Sequence, residues 1–494
     1  MGDFLLAIDQ GTSSSRAVVY DHTTAVLASA QQAFEQIYPR PGWVEHDPEQ
    51  IWGSVRAVTE QSMHQAGVSA ADVTAIGITN QRETTLVWDR STGECLYNAI
   101  VWQDRRTAEQ CRQLKLEGLE TTVAQKTGLR LDPYFSATKI AWILDNVDGA
   151  RDRAETGSLA FGTVDSFLLW RLTEGKVHAT DASNASRTLL FNIHTQEWDA
   201  ELLQIFNIPA SMLPEVLDCA AQFGVATDSC VTGSIPIMGM AGDQQAALIG
   251  QAGLEIGMTK STYGTGCFVI TNTGPTALAS QNQLLTTVAM RLQGHVTYAL
   301  EGSVFVAGSA LQWLRDEMHL IDSAAETEAI ATETGVVDDV VVVPAFAGLG
   351  APYWDPDARG AIFGLTRGSN REHVVTATLQ SVAYQTHDLI SAMADDGISP
   401  AVIRVDGGMV ANNWYLQFLA DVLDIPVERP VNVESTVLGA AYLAALEAGV
   451  MKSCEQIADH WQCESRFEPM MSQDKRDALL GGWKAAVGRV RTNG

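Results

Sequence analysis

"LLAIDQGTSSSRAVVYD", Leu5 to Asp21, decides how the chain is read. Phe4 to Ile8 and Ala17 to Tyr20 are apolar enough to be strands buried on both faces. Between them lie Asp9, Gln10, Gly11, Thr12, Ser13, Ser14, Ser15 and Arg16. The pattern predicts a hairpin whose tip offers backbone N–H groups, hydroxyl donors and a carboxylate. An ordinary polar turn has the same composition, so the rest of the chain must separate the two readings.

With 494 residues the chain exceeds one core, and two or more domains are expected. A hydrophobic fraction of 46% is that of a globular protein. No apolar run reaches the ~18 residues of a membrane span, and the N-terminus carries no leader pattern, so a cytoplasmic protein without membrane insertion is expected. The seven cysteines (95, 111, 219, 230, 267, 454 and 463) include no C-x-x-C pair and read as reduced thiols. A formal net charge of −27 argues against nucleic acid. It also means that any nucleotide site needs local compensation from amides, a few basic side chains and a divalent cation.

Strand and helix patterns alternate, which predicts an α/β protein with covered sheets. Thr74 to Thr79 reads as a strand, and a helix is expected after Asp47, which would cap it with Pro48 in the first turn. "EHVVTATLQSVAYQTHDLISAM" (372–393) reads as an amphipathic helix and "STVLGAAYLAALEAG" (435–449) as a buried one. "MTKSTYGTGCFVITNTG" (258–274) repeats the plan of the opening hairpin about 250 residues later. Two domains of related design, meeting near 245–260, would explain the echo. A third glycine turn, Asp406-Gly407-Gly408, leads from a strand to a helix through Asn412 and Asn413. No Walker loop or complete G-x-G-x-x-G occurs, so a nucleotide must be held on another plan.

That plan resembles the actin-like ATPase superfamily and, within it, the FGGY family of carbohydrate kinases. "YFSATKIAWILDN" (134–146) and "GAIFGLTRGSNREHVVTATLQ" (360–380) are similar to the two family signatures. "GITNQRETT", "IVWQDRRTAE", "FGTVDSFL", "NASRTLLFNIH", "GMAGDQQAAL", "YGTGCF", "ALEGSVFVAG" and "RVDGGMVANN" extend the likeness over roughly residues 3–450, towards members that phosphorylate glycerol. The resemblance implies two related ribonuclease H-like domains with a nucleotide cleft between them. Residues 1–250 would carry the polyol site, first phosphate hairpin and catalytic aspartate; residues 251–494 would carry the second hairpin and adenosine site. The implied reaction is ATP-dependent, Mg²⁺-assisted phosphorylation of glycerol to sn-glycerol 3-phosphate with release of ADP, and a homodimer or homotetramer is expected.

The resemblance also implies roles. Thr12, Ser13, Ser14, Arg16, Thr265 and Gly266 would hold the phosphates; Gly308, Gln312, Gly408 and Asn412 would line the adenosine side. Asp9, and Asp243 through water, would hold Mg²⁺. Arg82 and Glu83 would bond vicinal hydroxyls, since a hydroxyl both donates and accepts. Tyr134, Asp243 and Gln244 would complete the polar contacts, with Trp102 and Phe268 against the carbons and Asp243 as general base. Each has a plainer reading: a solvated turn for Arg82–Glu83, core packing for the aromatics, helix packing for Gly308 and Gln312, a helix cap for Asp243. The rival functions are a sibling kinase of another polyol or sugar, and an actin-like ATPase that only switches shape. Where some relatives carry a glycine-rich arginine element for fructose 1,6-bisphosphate, or a phosphorylatable histidine, this chain has "FGVATDSCVTGSIPIMG" with neither residue, so neither mode of control is expected.

Overall fold

The computed structural model describes residues 2–231 and 233–492. The opening stretch forms β1 (Phe4–Gln10) and β2 (Ser14–Asp21), paired antiparallel with Gln10 opposite Ser15. With β3 (Val26–Ala33), β4 (Val73–Asn80), β5 (Ala220–Ala226) and β6 (Ile235–Gly242) they build a sheet in the order β5-β6-β4-β1-β2-β3. Here β1, β4 and β6 are parallel, while β2 and β3 continue β1 as an antiparallel meander.

The later echo proves to be the same topology. β7 (Thr259–Tyr263), β8 (Cys267–Gly274), β9 (Leu285–Leu292), β10 (His295–Val304), β11 (Ile403–Asp406), β12 (Val427–Pro430) and β13 (Cys463–Phe467) form a second sheet, β9-β10-β8-β7-β11-β12-β13. β7, β8 and β10 repeat the antiparallel trio of β1, β2 and β3 with β9 inserted before β10 and added at the sheet edge, and β7, β11 and β12 repeat the parallel trio.

Strand periodicity sends alternate residues of β1 to different cores. Leu6 and Ile8 pack with Ile51, Trp52 and Val55 of helix α1 (Pro48–Ala66), whose N-cap Asp47 accepts the Glu49 N–H at 2.9 Å as expected. Leu5 and Ala7 face the opposite side, where they meet a helix from far down the chain. Helix α2 (Asp243–Gly250) follows β6; helices α3 (Gly308–Asp316), α4 (Arg371–Asp395) and α5 (Asn413–Leu423) serve the second sheet. Helix α6 (Ser435–Glu447) instead lies on β1, β4 and β6 and against α2. The segment after 465 is structural: Trp483 is buried in the second core and donates to Asp388 Oδ2 at 2.7 Å. All seven cysteines are free, and no helix among the described residues is long and apolar enough to cross a membrane.

One histidine makes the fold of the first half sensitive to acid. His178 Nε2 donates to the Phe161 carbonyl at 2.8 Å while Arg90 Nη2 lies 3.2 Å from Nδ1, an arrangement that suits the neutral ring. Burial, with Arg90 adding to it, pushes the imidazole from 6.5 down to about 4. Below pH ~6.5 the unfolded chain therefore takes up a proton that the folded one refuses until about pH 4, and stability falls with pH in that window. Relative to H178Q, the wild type should lose ~2–3 kcal/mol between pH 7 and 4. Urea midpoints measured across this range check it, and parallel pH dependences would refute it.

Candidate active site

The site begins with a strained turn. After β4 the chain reverses through Arg82 and Glu83 before Leu86, with Thr84 N–H bonded to the Arg82 carbonyl at 2.6 Å. Glu83 has φ of +59°, a conformation a non-glycine residue adopts at a cost of order 1–3 kcal/mol. Neither side chain is solvated: Arg82 is 3% exposed and Glu83 1%, which excludes the surface-turn reading.

Buried charges need partners, and they come from residues that the sequence reading passed over. Glu301, on β10 of the second sheet, accepts from Arg82 Nη1 at 2.6 Å and Nη2 at 2.9 Å. Arg187 donates from Nη2 to Glu301 Oε1 at 3.0 Å and from Nε to Glu83 Oε1 at 2.7 Å. Burial opposes ionisation of Glu301, but Arg187 and Arg82 outweigh it and hold the carboxyl down at about 2. Burial pushes Glu83 up, against the pull of the same two guanidinium groups.

Asp243 opens α2 at the rim of this cluster, its side chain 29% exposed and Oδ1 3.1 Å from Arg82 Nε. Gly242, rather than Asp243, occupies the N-cap position; Asp243 is the first helical residue and takes the Gln244 N–H at 2.7 Å. A Cβ on Gly242 would lie 2.7 Å from Arg82 Cδ and Cγ, so glycine here lets the arginine cross the start of the helix. Gln244 follows Asp243 on the first turn of α2. Its Oε1 is taken by Lys260 Nζ at 2.5 Å, and it is Gln245 whose Oε1 meets Arg82 Nη1, at 3.2 Å.

Three half-buried aromatics close the other side. Trp102 stands edge-on to Tyr134 at 5.6 Å and to Phe268 at 6.1 Å, and its Nε1 donates to Thr12 Oγ1 at 2.9 Å. Tyr134 is seated by Lys139, a fully buried lysine whose Nζ donates to the Tyr134 and Phe135 carbonyls at 2.6 and 3.1 Å. Burial brings that ammonium down to about 8. Phe268 belongs to β8 and Glu301 to β10, so the pocket is shared by both sheets rather than confined to residues 1–250.

The two hairpin tips are Gly11–Ser13 and Gly264–Gly266. Thr265 and Gly264 carbonyls receive the first N–H groups of α3, from Ala307, Gly308 and Ser309, at 2.9–3.1 Å. Beside them a cavity of about 410 Å³ is lined by Thr265, Gly308, Gln312, Gly408 and Asn412 among others, so the second phosphate tip and all four adenosine-side residues share one hollow. Asp9 lies at the end of β1, opposite Arg16. Burial and then the Asp243 carboxylate push its carboxyl up to about 7, with Arg16 opposing. Arg16 itself is engaged by Glu434, before α6, and by Gln31 Oε1 at 2.8 Å. The segment "FGVATDSCVTGSIPIMG" has no arginine or histidine of its own but meets a cation from elsewhere: Arg56 of α1 donates to Ser229 Oγ at 2.7 Å and pairs with Asp228 at 3.3 Å; Thr232 lies outside the described residues.

The N-terminal domain model of the FGGY family of carbohydrate kinases matches residues 4–250, and its C-terminal domain model matches residues 259–448. Glycerol kinase 1 of Pseudomonas aeruginosa is 60% identical over 492 residues, and the glycerol kinase of Ectopseudomonas mendocina 61% over 495, each alignment spanning both chains in full. A crystal structure of Plasmodium falciparum glycerol kinase with ADP superposes with a TM-score of 0.93 at 37% identity, covering 99% of this chain and 98% of that one.

Proposed function

The chain belongs to the FGGY family of carbohydrate kinases, and from that premise we propose that the cleft transfers the γ-phosphoryl group of ATP to glycerol, giving sn-glycerol 3-phosphate and ADP. The observation that carries the reading is the buried Arg82–Glu83 turn, roofed by Trp102, Tyr134 and Phe268 and flanked by Asp243.

Glu83 Oε1 is held by Arg187, and Oε2 has no hydrogen bond among the described residues. Of the five N–H donors of a guanidinium, Arg82 gives two to Glu301 and one to Gln245. Its Nε faces Asp243 Oδ1 at 3.1 Å, and its remaining Nη2 N–H and Glu83 Oε2 supply the donor and acceptor that vicinal hydroxyls require, while the aromatics cover the carbons. Asp243, at the rim, is placed to take the proton of the terminal hydroxyl as its oxygen attacks phosphorus. The hairpin tips, with Thr12, Ser13, Ser14, Thr265 and Gly266, offer N–H and hydroxyl donors to the phosphates. The 410 Å³ cavity suits the adenosine. Arg16 would reach phosphate only by loosening its contacts with Glu434 and Gln31.

Asp9 and Asp243 offer oxygen donors only, and the Asp243 carboxylate helps push Asp9 up, a charge conflict that a cation relieves, which fits Mg²⁺ held through few carboxylates and several waters. The ion, when bound, neutralises phosphate charge that Arg16 alone does not meet. The units that meet at the cleft are 1–250 and 251–494, with α6 crossing back onto the first sheet.

Glycerol should raise ADP release far above background, with glycerol 3-phosphate formed in equal amount. Equal ADP release with and without glycerol would favour the shape-switching ATPase; a larger response to a pentulose or gluconate would favour a sibling kinase.

A further inference from the structure

Glu301, Arg187, Arg82 and Glu83 are each at most 3% exposed, and they form one closed charge network. Arg82 donates twice to Glu301, Glu301 accepts from Arg187, Arg187 donates to Glu83, and Glu83 Oε1 returns to within 3.9 Å of Arg82 Nε. Two cations are balanced by two anions. The carboxylate that joins the arginines comes from the second sheet; the other three side chains come from the first half of the chain. Arg187 is fixed further by Tyr134 and Phe135, whose rings lie 5.7 and 5.4 Å from its Cζ, and its buried Nη1 has no hydrogen-bond partner among the described residues.

We propose that Glu301 is a positioning residue for the polyol site: by bridging Arg82 and Arg187 from the second sheet it leaves the remaining Nη2 N–H of Arg82 and Glu83 Oε2 turned to the substrate. The inference rests on the glycerol pocket described above and assigns its geometry to a residue that need not touch glycerol. With the bridge intact, Arg82 Nε already lies 3.9 Å from Glu83 Oε1 and 3.1 Å from Asp243 Oδ1; without it, the two Nη groups are released to close on either carboxylate as well. Turning to either masks the acceptor of the substrate hydroxyl or the acceptor of its proton. Because Glu301 belongs to the other sheet, the productive arrangement exists only while the two halves are apposed.

Glu301→Gln keeps the shape but sets an NH₂ against guanidinium donors. In the full chain it should lower kcat/KM for glycerol by ~10²-fold, the scale of a displaced positioning group, with KM for ATP within threefold of wild type. Glu301→Asp, which keeps the charge, should recover at least tenfold of that loss. Should Glu301→Gln fail to fold, Arg187→Lys carries the test, since an ammonium keeps the charge but not the two-sided fork, and the same glycerol-selective loss is expected. An unchanged glycerol kcat/KM, or losses in the glycerol and ATP parameters that track the folded fraction alike, would overturn the proposal. A wild type that turns over glycerol beside an unaffected Glu301→Gln sinks this inference alone. A wild type without glycerol-dependent turnover sinks the kinase reading, and this inference with it.

Discussion

Asp243→Asn is expected to lower turnover by ~10²–10⁴-fold, the usual worth of a positioned proton acceptor. The amide preserves shape and still faces Arg82 but takes no proton from the attacking hydroxyl. Glycerol and ATP should still bind, because Arg82, Glu83, the aromatics and both hairpin tips are untouched. The structure weakens the competing account in which Asp243 is chiefly a helix cap, since Gly242 holds that position. A carboxylate in the first turn still gains ~0.3–1 kcal/mol from the helix dipole, but here it also raises Asp9, so the substitution relieves one unfavourable contact as it loses a favourable one. Steady-state rates, calorimetric glycerol and ATP binding, and thermal unfolding measured together separate the accounts. A variant that unfolds early yet turns over at nearly the wild-type rate would remove Asp243 from the mechanism.

Gly439→Ala should destabilise the fold, although alanine is the better helix former by about 1 kcal/mol. Gly439 lies where α6 crosses α2, and a Cβ there would sit 1.8 Å from the Ala246 carbonyl oxygen. The same crossing needs Gly250, whose Cβ would lie 1.9 Å from Ser435 O, and the seat of α6 on β4 needs Gly77, whose Cβ would lie 2.1 Å from Ala440 O. The obstacles are backbone atoms of packed elements, which cannot swing aside. The cost should therefore reach or exceed the ~1–3 kcal/mol of ordinary overpacking and outweigh the propensity gain. Gly53→Ala on α1 is the control: nothing lies within 4 Å of the added methyl, so only the gain of up to about 1 kcal/mol should remain. Denaturant midpoints compare the two, and a Gly439→Ala protein as stable as wild type would refute the close-crossing account.

Local regularities were legible without coordinates. Short continuous apolar runs marked β1, β2 and β4, Asp47-Pro48 marked the start of α1, and the second glycine hairpin announced a second domain of related design. The Arg82–Glu83 turn and the strand-end Asp243 stood out because charges at the edge of apolar runs are conspicuous in one dimension. Long-range partners left no such mark. Arg187 appears as a lone cation in a run of serine, asparagine and threonine and Glu301 as a lone acid in an apolar strand, neither of which says what pairs with them, and their bonds span 104 to 219 residues. Lys139 reads as one polar position on an apolar helix until its bonds to the Tyr134 and Phe135 carbonyls are seen. Gln244 and Gln245 are adjacent and chemically identical, and only the placement of α2 between the sheets sends one to Lys260 and the other to Arg82. Helix α6 was recognisable as buried from its composition, but its docking on the first sheet depends on glycines brought together from positions 77, 250 and 439. Periodicity is a property of neighbours along the chain and specifies elements. The compensation of buried charge and the close approach of backbones are properties of neighbours in space, and here they are what shape the pocket.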